Sequence, residues 1–298
     1  MNAYFDPTLA PAPIALSIVE GMSNAQYHAR PEYSSSQLKD MIRSAAHFYS
    51  HNIAKEHEKE RKACMDFGTL AHTLFLEPEQ FSNEFVIAPV FDRRTKAGKE
   101  EAAAWEQATE GKILVTEEQV QGAKRIVKNL QTLSMYGVMQ NNYGMAEASF
   151  FFTDPIFGLE LRVRPDYHIV PCSAFPNGLI LDLKTTSDAR AIAFQRQCGN
   201  FAYDLSAAMY REGFQQVYGT EDKPDFIFLV AENTAPFNVK QYKASNLFLS
   251  IGEQRYYRAK ELLAESLLLQ EWDGYSKELE EINLPSYMLK QALQHEFN

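Results

Sequence analysis

Three features are scarce in this chain of 298 residues, and each absence excludes a class of protein. The only cysteines are Cys64, Cys172 and Cys198. Their odd number and wide spacing argue against a disulfide framework and against a zinc cluster, so we expect reduced cysteines that pack as small hydrophobic residues. No apolar run approaches the about 18 to 20 residues that a membrane-spanning helix needs. Residues 1–13 lack the basic start of a signal peptide, which predicts a cytoplasmic protein.

Positive charge is also in short supply. Lysine and arginine total 29 against 39 aspartates and glutamates, which gives a formal net charge of −10. Proteins that bind nucleic acid usually carry clustered positive charge, so this balance weighs against such a partner. Binding depends on the local field, however, and an acidic pocket that holds divalent cations reverses its own sign. Net charge therefore leaves a nucleic-acid partner open.

What the chain does contain is enough apolar surface for a full core. Apolar residues make up 45% of the sequence and aromatic residues 12%. A chain of this length suits one large domain. We expect a flexible arm over residues 1–25 and a single domain over residues 26–298.

Local patterns predict helices, then a small mixed sheet, then helices. Capping boxes at residues 34–37 and 116–119 predict the starts of two helices. The remaining predicted elements are helices at 66–76, 188–214 and 245–272, and strands at 149–152, 159–164, 179–184 and 226–231. Turn residues at 154–158 join the first two strands as a hairpin. This order predicts an α/β domain with an N-terminal helical part.

One predicted strand carries charged residues within an apolar setting. Asp182 and Lys184 alternate with Leu181 and Leu183, so the charged side chains share one face while the leucines enter the core. Asp166 lies on or just after the preceding strand. If the two strands are neighbours, two carboxylates and an amine converge at one edge of the sheet. Carboxylates can hold a divalent cation and a lysine can offset transition-state charge, which are the groups that phosphodiester hydrolysis needs.

An isolated Asp-x-Lys on a strand is usually a solvated face. Here the flanking residues are apolar, so charged residues within the strand require a reason. Pro165-Asp166 followed by Asp182-Leu183-Lys184 also matches the PD-(D/E)xK nuclease signature.

The chain resembles the RecE-type branch of these nucleases, exodeoxyribonuclease VIII, which prophages often encode. The resemblance rests on segments found in the same order: residues 27–29, 68–72, 93–99, 182–186, 203–210 and the ending Leu284-Pro285. It implies a PD-(D/E)xK restriction-endonuclease-like core and a processive exonuclease that digests one strand of linear double-stranded DNA from its 5′ end. The 3′ single-stranded tails would serve recombination. It also implies Mg²⁺ as cofactor with Mn²⁺ as a substitute, a trimeric or tetrameric ring, and a RecT-like strand-annealing partner.

The same resemblance gives meaning to His72. A histidine in an apolar helix is more often a satisfied core residue, but Gly68 lies one turn earlier on the same face and permits close approach of another element. In the family the matching histidine is a metal ligand. The resemblance therefore implies a metal site formed by His72, Asp166, Asp182 and the carbonyl of Leu183.

Candidate DNA contacts lie in two places. Arg43 and Ser44 follow the first capped helix, and a family-style role for Arg43 is to bind the 5′-phosphate; the alternative is an ordinary surface arginine. The densest positive patch falls in a predicted loop between Ala88 and Gly98, and either contacts the DNA backbone or is solvated. Its basic residues are Arg93, Arg94, Lys96 and Lys99.

One position departs from the family pattern. The family carries Gln-x-x-x-Tyr on the helix after the lysine strand, whereas this chain has Ser206 and Tyr210. We expect a catalytic role for Tyr210, while Ser206 points the same way with a shorter reach. Glu147 either adds a carboxylate beside the metal or is a surface residue at a strand edge, which is the commoner situation.

Two other functions compete with an exonuclease. A catalytically weak DNA-end-binding protein could keep the fold, but the intact Asp166, Asp182, Lys184 and His72 argue against a decayed site. A related PD-(D/E)xK endonuclease is the second. A Cas4-like protein needs four cysteines for an iron–sulfur cluster, which three scattered cysteines do not supply.

Overall fold

The computed structural model describes residues 17–56, 63–89, 91, 92 and 94–284. These residues form a mixed α/β fold. Its strands are β1 Ser17–Val19, β2 Phe85–Ile87, β3 Ile113–Val115, β4 Gly144–Ala146, β5 Ser149–Thr153, β6 Glu160–Val163, β7 Tyr167–Ile169, β8 Leu179–Thr186, β9 Asp225–Glu232 and β10 Val239–Lys243. Its α-helices are α1 Asn24–Ala29, α2 Ser35–Arg43, α3 Ala45–Phe48, α4 Ala63–Leu76, α5 Phe81–Glu84, α6 Lys96–Ala108, α7 Glu117–Leu130, α8 Ser134–Asn141, α9 Ala191–Asn200, α10 Tyr203–Tyr218 and α11 Asn246–Leu269.

The central sheet has five strands in the order β10-β9-β8-β7-β4. β8 and β9 are parallel, whereas the other neighbours are antiparallel, so the sheet is mixed as predicted. β1, β5 and β6 form a second, antiparallel sheet that contains the predicted hairpin. β2 and β3 form a short parallel pair.

The central sheet is buried on both faces, and its middle strand β8 carries apolar side chains on each of them. Leu181 and Leu183 enter a core shared with α4 and α7, while Ile180 enters a second core shared with α10 and α11. A strand buried on both faces reads as a continuous apolar run, which is what surrounds Asp182 and Lys184. Among the described helices, none combines the length and the apolar character that crossing a membrane requires.

Both predicted capping boxes are present. The backbone nitrogen of Ser34 donates to Gln37 Oε1 at 2.8 Å, and that of Thr116 donates to Gln119 Oε1 at 2.7 Å. The helices α2 and α7 follow directly. α2 packs against α10 and α11.

The helical region predicted over residues 188–214 consists of two helices. α9 ends at Asn200 and α10 begins at Tyr203, with Ala202 between them at φ 49° in the left-handed region. Gly199 and Asn200 have low helix propensity, so the chain can turn there at small cost. The predicted helices at 66–76 and 245–272 are present as α4 and α11, with shifted ends.

The predicted basic loop is partly wrong. Thr95 caps α6 by accepting a hydrogen bond from the Gly98 nitrogen at 3.0 Å, so Lys96 and Lys99 lie on a helix. Arg93 lies outside the described residues.

The flexible arm predicted over residues 1–25 is too long. β1 pairs with β5, and Ser23 opens α1 with a capping box to Gln26. A three-residue strand has too little pattern to be predicted, and it exists here because β5 offers it an edge. Residues 1–16 lie outside the described part of the chain.

Candidate active site

The candidate site lies where two strands of the central sheet part. β7 pairs only with residues 179–181 of β8, so the second half of β8 has no described strand on that side. Pro165 lies at the parting, and a proline has no N–H for a sheet ladder. The carboxylate of Asp166 takes the place of a strand, because its Oδ2 accepts a hydrogen bond from the Leu183 nitrogen at 2.6 Å.

The strand at 159–164, which was predicted to lie beside β8 and so to bring Asp166 to Asp182 and Lys184, is therefore not the neighbour of β8. The predicted strand at 159–164 is β6 and belongs to the second sheet. The chain passes through Pro165 and Asp166 into β7, which the sequence analysis missed. The predicted meeting of Asp166 with β8 is nevertheless present.

Asp182 and Lys184 form an ion pair beside Asp166. The Lys184 ammonium lies 3.9 Å from Asp166 Oδ2 and donates to the Leu183 carbonyl oxygen at 3.3 Å. Burial alone would lower the pKa of Lys184, but the charges of Asp182 and Asp166 outweigh it and raise the pKa. Burial raises the pKa of Asp182 against the opposing charge of Lys184. The result is a fixed ammonium between two carboxylates.

Helix α4 brings His72 to the same place. His72 Nδ1 lies 3.6 Å from Asp166 Oδ2. A Cβ atom on Gly68 would lie 3.1 Å from Thr185 Oγ1, so the predicted close approach at this glycine is confirmed. α4 can lie against β8 at this distance because Gly68 has no side chain.

Glu147 belongs to this cluster and is not a surface residue at a strand edge. It lies between β4 and β5, where the chain crosses from the central to the second sheet, at φ 49°. Its backbone nitrogen donates to the Asp166 carbonyl oxygen at 3.1 Å. Burial, and then the charge of Asp166, raise the pKa of Glu147 well above its ordinary value.

His72, Glu147 and Asp166 could hold a divalent cation. Each offers one ligand atom, and these atoms lie within 4.8 Å of one another. Carboxylate oxygens suit Mg²⁺ and the imidazole is well tolerated by Mn²⁺. Burial, and after it the charge of Asp166, raise the pKa of Glu147, and a cation would stabilise the ionised carboxylates, so the residues fit the implied metal.

This group differs from the ligand set that the resemblance implies. Asp182 is engaged with Lys184, and the Leu183 carbonyl accepts from the same ammonium. Glu147 stands in the group instead. Of the implied ligands, His72 and Asp166 are thus the two that meet within this group.

A cavity of about 420 Å³ opens beside His72 and Glu147. The Arg164 side chain lines it, with its guanidinium 4.2 Å from the centre of the Tyr27 ring. The guanidinium is held by three acceptors: Ser149 Oγ at 2.9 Å, Asn24 Oδ1 at 3.0 Å and the Met22 carbonyl at 2.9 Å. A fixed cation beside Glu147 makes the cavity wall less acidic than its carboxylates alone would.

Helix α10 places Tyr210 at the site. Its hydroxyl shares a hydrogen bond with the Ser35 side chain, and its ring centre lies 6.4 Å from that of Phe226. Burial, followed by nearby charges that include Asp182, raises the pKa of Tyr210 well above its ordinary value. The hydroxyl therefore stays protonated and remains a donor. Ser206 is half-buried one turn earlier.

Replacing Ser206 with alanine should change kcat only slightly, by less than about 1 kcal/mol, the usual worth of one neutral hydrogen bond. Tyr210→Ala should cost more because it also removes ring packing. Tyr210→Phe keeps the ring and isolates the hydroxyl. Steady-state digestion of DNA by the three variants measures this. A hundredfold loss in Ser206→Ala beside a mild loss in Tyr210→Ala would make the serine the catalytic residue.

The predicted DNA contacts are not gathered at the acidic cluster. Arg43 is exposed at the end of α2, and its Nε donates to the Tyr275 hydroxyl at 3.4 Å. The Ser44 hydroxyl accepts from the His47 nitrogen at 3.2 Å as the cap of α3. Three basic residues of the patch at the start of α6 are exposed: Arg94, Lys96 and Lys99.

Lys39 and Tyr203, which lie beside Lys184, were not predicted from the sequence as site residues. Lys39 on α2 and Lys184 each place their ammonium 5.4 Å from the centre of the Tyr203 ring. The signal available in the sequence was the spacing of Lys39, one turn after Ser35 on the capped helix.

Comparison with known proteins places this geometry in a family. The model of the PDDEXK-like domain of unknown function (DUF3799) matches residues 34–285. A crystal structure described as "Putative exonuclease" from Eubacterium rectale has a TM-score of 0.57, 13% sequence identity, and covers 91% of this chain and 98% of its own. A structure of SSO0001, at TM-score 0.31, 12% identity and coverage of 79% and 85%, is too distant to inform the function. None of the curated proteins matches the sequence.

The family model covers far more than half of the chain, and the first of these structures shares its fold over most of its length. The predicted PD-(D/E)xK core is thereby confirmed. The chain belongs to the family of the PDDEXK-like domain of unknown function (DUF3799).

Proposed function

We propose that this protein is a metal-dependent exodeoxyribonuclease that hydrolyses one strand of linear double-stranded DNA. The observation that carries the proposal is the convergence at the parting of β7 and β8. Asp166, Asp182 and Lys184 meet there, and His72 and Glu147 complete a donor set for a cation. A cluster of one ammonium and several carboxylates is suited to an anionic phosphodiester only if a cation offsets the negative charge.

Each residue has a role in this proposal. A divalent cation would polarise the phosphoryl oxygen and lower the pKa of water. Asp166 is oriented by the Leu183 nitrogen, and Lys184 stabilises negative charge that develops on the phosphoryl group. The Tyr210 hydroxyl, held by Ser35, donates a hydrogen bond toward the substrate.

The finer features come from the resemblance to RecE-type exonucleases, while the description of the Eubacterium rectale structure supports only exonuclease activity. We propose digestion from 5′ to 3′ that leaves 3′ single-stranded tails for recombination, with Mg²⁺ as the cofactor. Arg43 binds the 5′-phosphate, and the basic start of α6 contacts the DNA backbone. A homo-oligomeric ring and a RecT-like annealing partner belong to the same proposal.

The excess negative charge is compatible with this substrate. The net charge of −10 is spread over the whole chain, whereas Arg94, Lys96 and Lys99 are clustered and exposed. Local charge decides the encounter with DNA, so an acidic protein can bind a polyanion through such a patch.

Incubation of the purified protein with linear and covalently closed circular duplex DNA tests the proposal. With Mg²⁺, linear DNA should be degraded and a 5′-end label released early, while the circle stays intact. EDTA should abolish degradation, because the carboxylate cluster then lacks its cation. Cutting of the circle would indicate an endonuclease. Binding of DNA ends without hydrolysis would indicate an end-binding protein, and either result would contradict the proposal.

A further inference from the structure

Lys39 is a cation that lacks an anionic partner among the described residues. It is half-buried on α2, and its Nζ lies 5.4 Å from the centre of the Tyr203 ring. Among the residues that the structure describes, it has neither an ion pair nor a hydrogen bond. The carboxylates of Asp182 and Asp204 act on it only through space. A lysine that is removed from water normally gains a carboxylate or carbonyl partner in exchange.

A second cation makes this position more costly. Lys184 lies at the same distance, 5.4 Å, from the same ring, so two ammonium groups share one aromatic side chain. The Gln197 amide donates to the Tyr203 hydroxyl at 3.3 Å and to the Thr185 carbonyl at 3.3 Å, which fixes the ring beside β8. Burial, and then the charge of Lys184, lower the pKa of Lys39 to about 8.

Lys184 and Lys39 differ in the groups that neutralise their charge. Lys184 is paired with Asp182 and lies 3.9 Å from Asp166, so its charge is satisfied within the protein. Within the described part of the chain, Lys39 contacts only the face of the Tyr203 ring in this way. A single cation–π contact is weak and does not replace the solvation that a half-buried ammonium loses. An anion placed between α2 and β8 would stabilise Lys39 most.

We propose that Lys39 is a phosphate-binding residue of the active site, which contacts the backbone phosphate next to the scissile one on the strand being cut. This inference rests on the proposed nuclease function. A phosphate of the DNA substrate is the anionic partner that Lys39 lacks among the described residues. Tyr203 holds the ammonium in place between substrate encounters, and Lys184 remains assigned to the scissile phosphate.

The geometry of α2 supports a backbone contact. Ser35, Lys39 and Arg43 follow one another at intervals of four residues, about 6 Å along the helix axis, and so lie along one side of α2. Ser35 reaches Tyr210 at the site, and Arg43 is exposed at the other end. Lys39 therefore lies between the catalytic residues and the arginine proposed for the 5′-phosphate.

The test compares Lys39→Gln and Lys39→Arg with Lys128→Gln, which removes one exposed lysine from α7. Three quantities are measured on linear duplex DNA: kcat and KM with Mg²⁺, and the dissociation constant over a series of salt concentrations with Ca²⁺ in place of Mg²⁺, so that the carboxylates remain neutralised while the DNA is not cut. Lys39→Gln should raise KM and the dissociation constant about tenfold. The slope of the logarithm of the binding constant against the logarithm of the salt concentration should also become shallower by about one, as it does when a phosphate contact is lost. Lys39→Arg should restore most of the binding, and Lys128→Gln should match the parent.

Other results would overturn the inference. If Lys39→Gln binds DNA with the parental affinity and salt slope, Lys39 does not contact phosphate, whatever happens to kcat. If the parent digests linear DNA and Lys39→Gln does so equally well, the nuclease proposal stands and the inference fails. If the parent digests no DNA, the nuclease proposal fails and the inference fails with it; a weaker, shallower salt response of Lys39→Gln would then show only that Lys39 contacts a phosphate of bound DNA.

Discussion

Replacement of Asp182 with asparagine is expected to lower the rate of DNA hydrolysis at least a thousandfold, about 4 kcal/mol of barrier. Asp182 is buried and forms the ion pair that holds Lys184. Asparagine keeps the shape but removes the charge, which leaves the ammonium with Asp166 at 3.9 Å. The lysine then loses its alignment, and the site loses one negative charge that stabilises a bound cation. Single-turnover digestion of linear duplex with Mg²⁺ measures the loss.

A matched control comes from the signature itself. PD-(D/E)xK allows glutamate at this position, so Asp182→Glu should keep measurable activity, reduced by the longer side chain. Thermal melting of both variants separates a catalytic effect from unfolding. Digestion by Asp182→Asn at the parental rate would remove Asp182 from the active site and with it the assignment of this strand.

The position of β8 and its charged residues could be predicted from sequence because the responsible physics is local. Alternation along a strand fixes which side chains share a face, and this put Leu181 and Leu183 in the core and Asp182 beside Lys184. The two capping boxes are equally local, since the cap and its partner lie three residues apart.

What could not be predicted depends on contacts between distant parts of the chain. β4 and β7 are three residues long, so they carry no periodic signal, and they exist because β8 and its neighbours give them edges. The environment of Lys39 is set by Tyr203, which lies on a helix far along the sequence. No local pattern in the sequence indicates that Lys39 and Tyr203 lie side by side.

The place of Glu147 in the acidic cluster could not be predicted for the same reason. A glutamate next to a strand is usually solvated, and its neighbours in sequence give no reason to doubt that. Its backbone, however, adopts φ 49° as the chain crosses between two sheets, and Asp166 accepts a hydrogen bond from its nitrogen. Residues held in this region of backbone conformation cost about 1 to 3 kcal/mol and tend to cluster at functional sites.

Replacement of Glu147 with glutamine is expected to abolish most activity, by a hundredfold or more, and to stabilise the metal-free protein. Burial and the charge of Asp166 raise the pKa of Glu147, so its ionised form destabilises the fold. A carboxyl whose folded-state pKa is raised contributes stability at low pH that is lost as pH rises above its ordinary value. Glutamine carries no charge, so the melting temperature of the metal-free variant should exceed that of the parent at neutral pH and fall less as pH rises.

A divalent cation should reverse the order of the two melting temperatures, so that the parent melts above Glu147→Gln. This reversal is expected if Glu147 is a metal ligand and not if it only packs against its neighbours. A cation that binds the folded state stabilises it by RT ln(1 + [L]/Kd), about 2.7 kcal/mol at a hundredfold excess over Kd. The parent should therefore gain much more melting temperature from Mg²⁺ or Mn²⁺ than Glu147→Gln does. Glu110→Gln, which removes an exposed glutamate after α6, should leave melting, cation response and digestion unchanged. If Glu147→Gln gains as much from the cation as the parent, Glu147 does not hold the metal, and the site rests on His72 and the two aspartates.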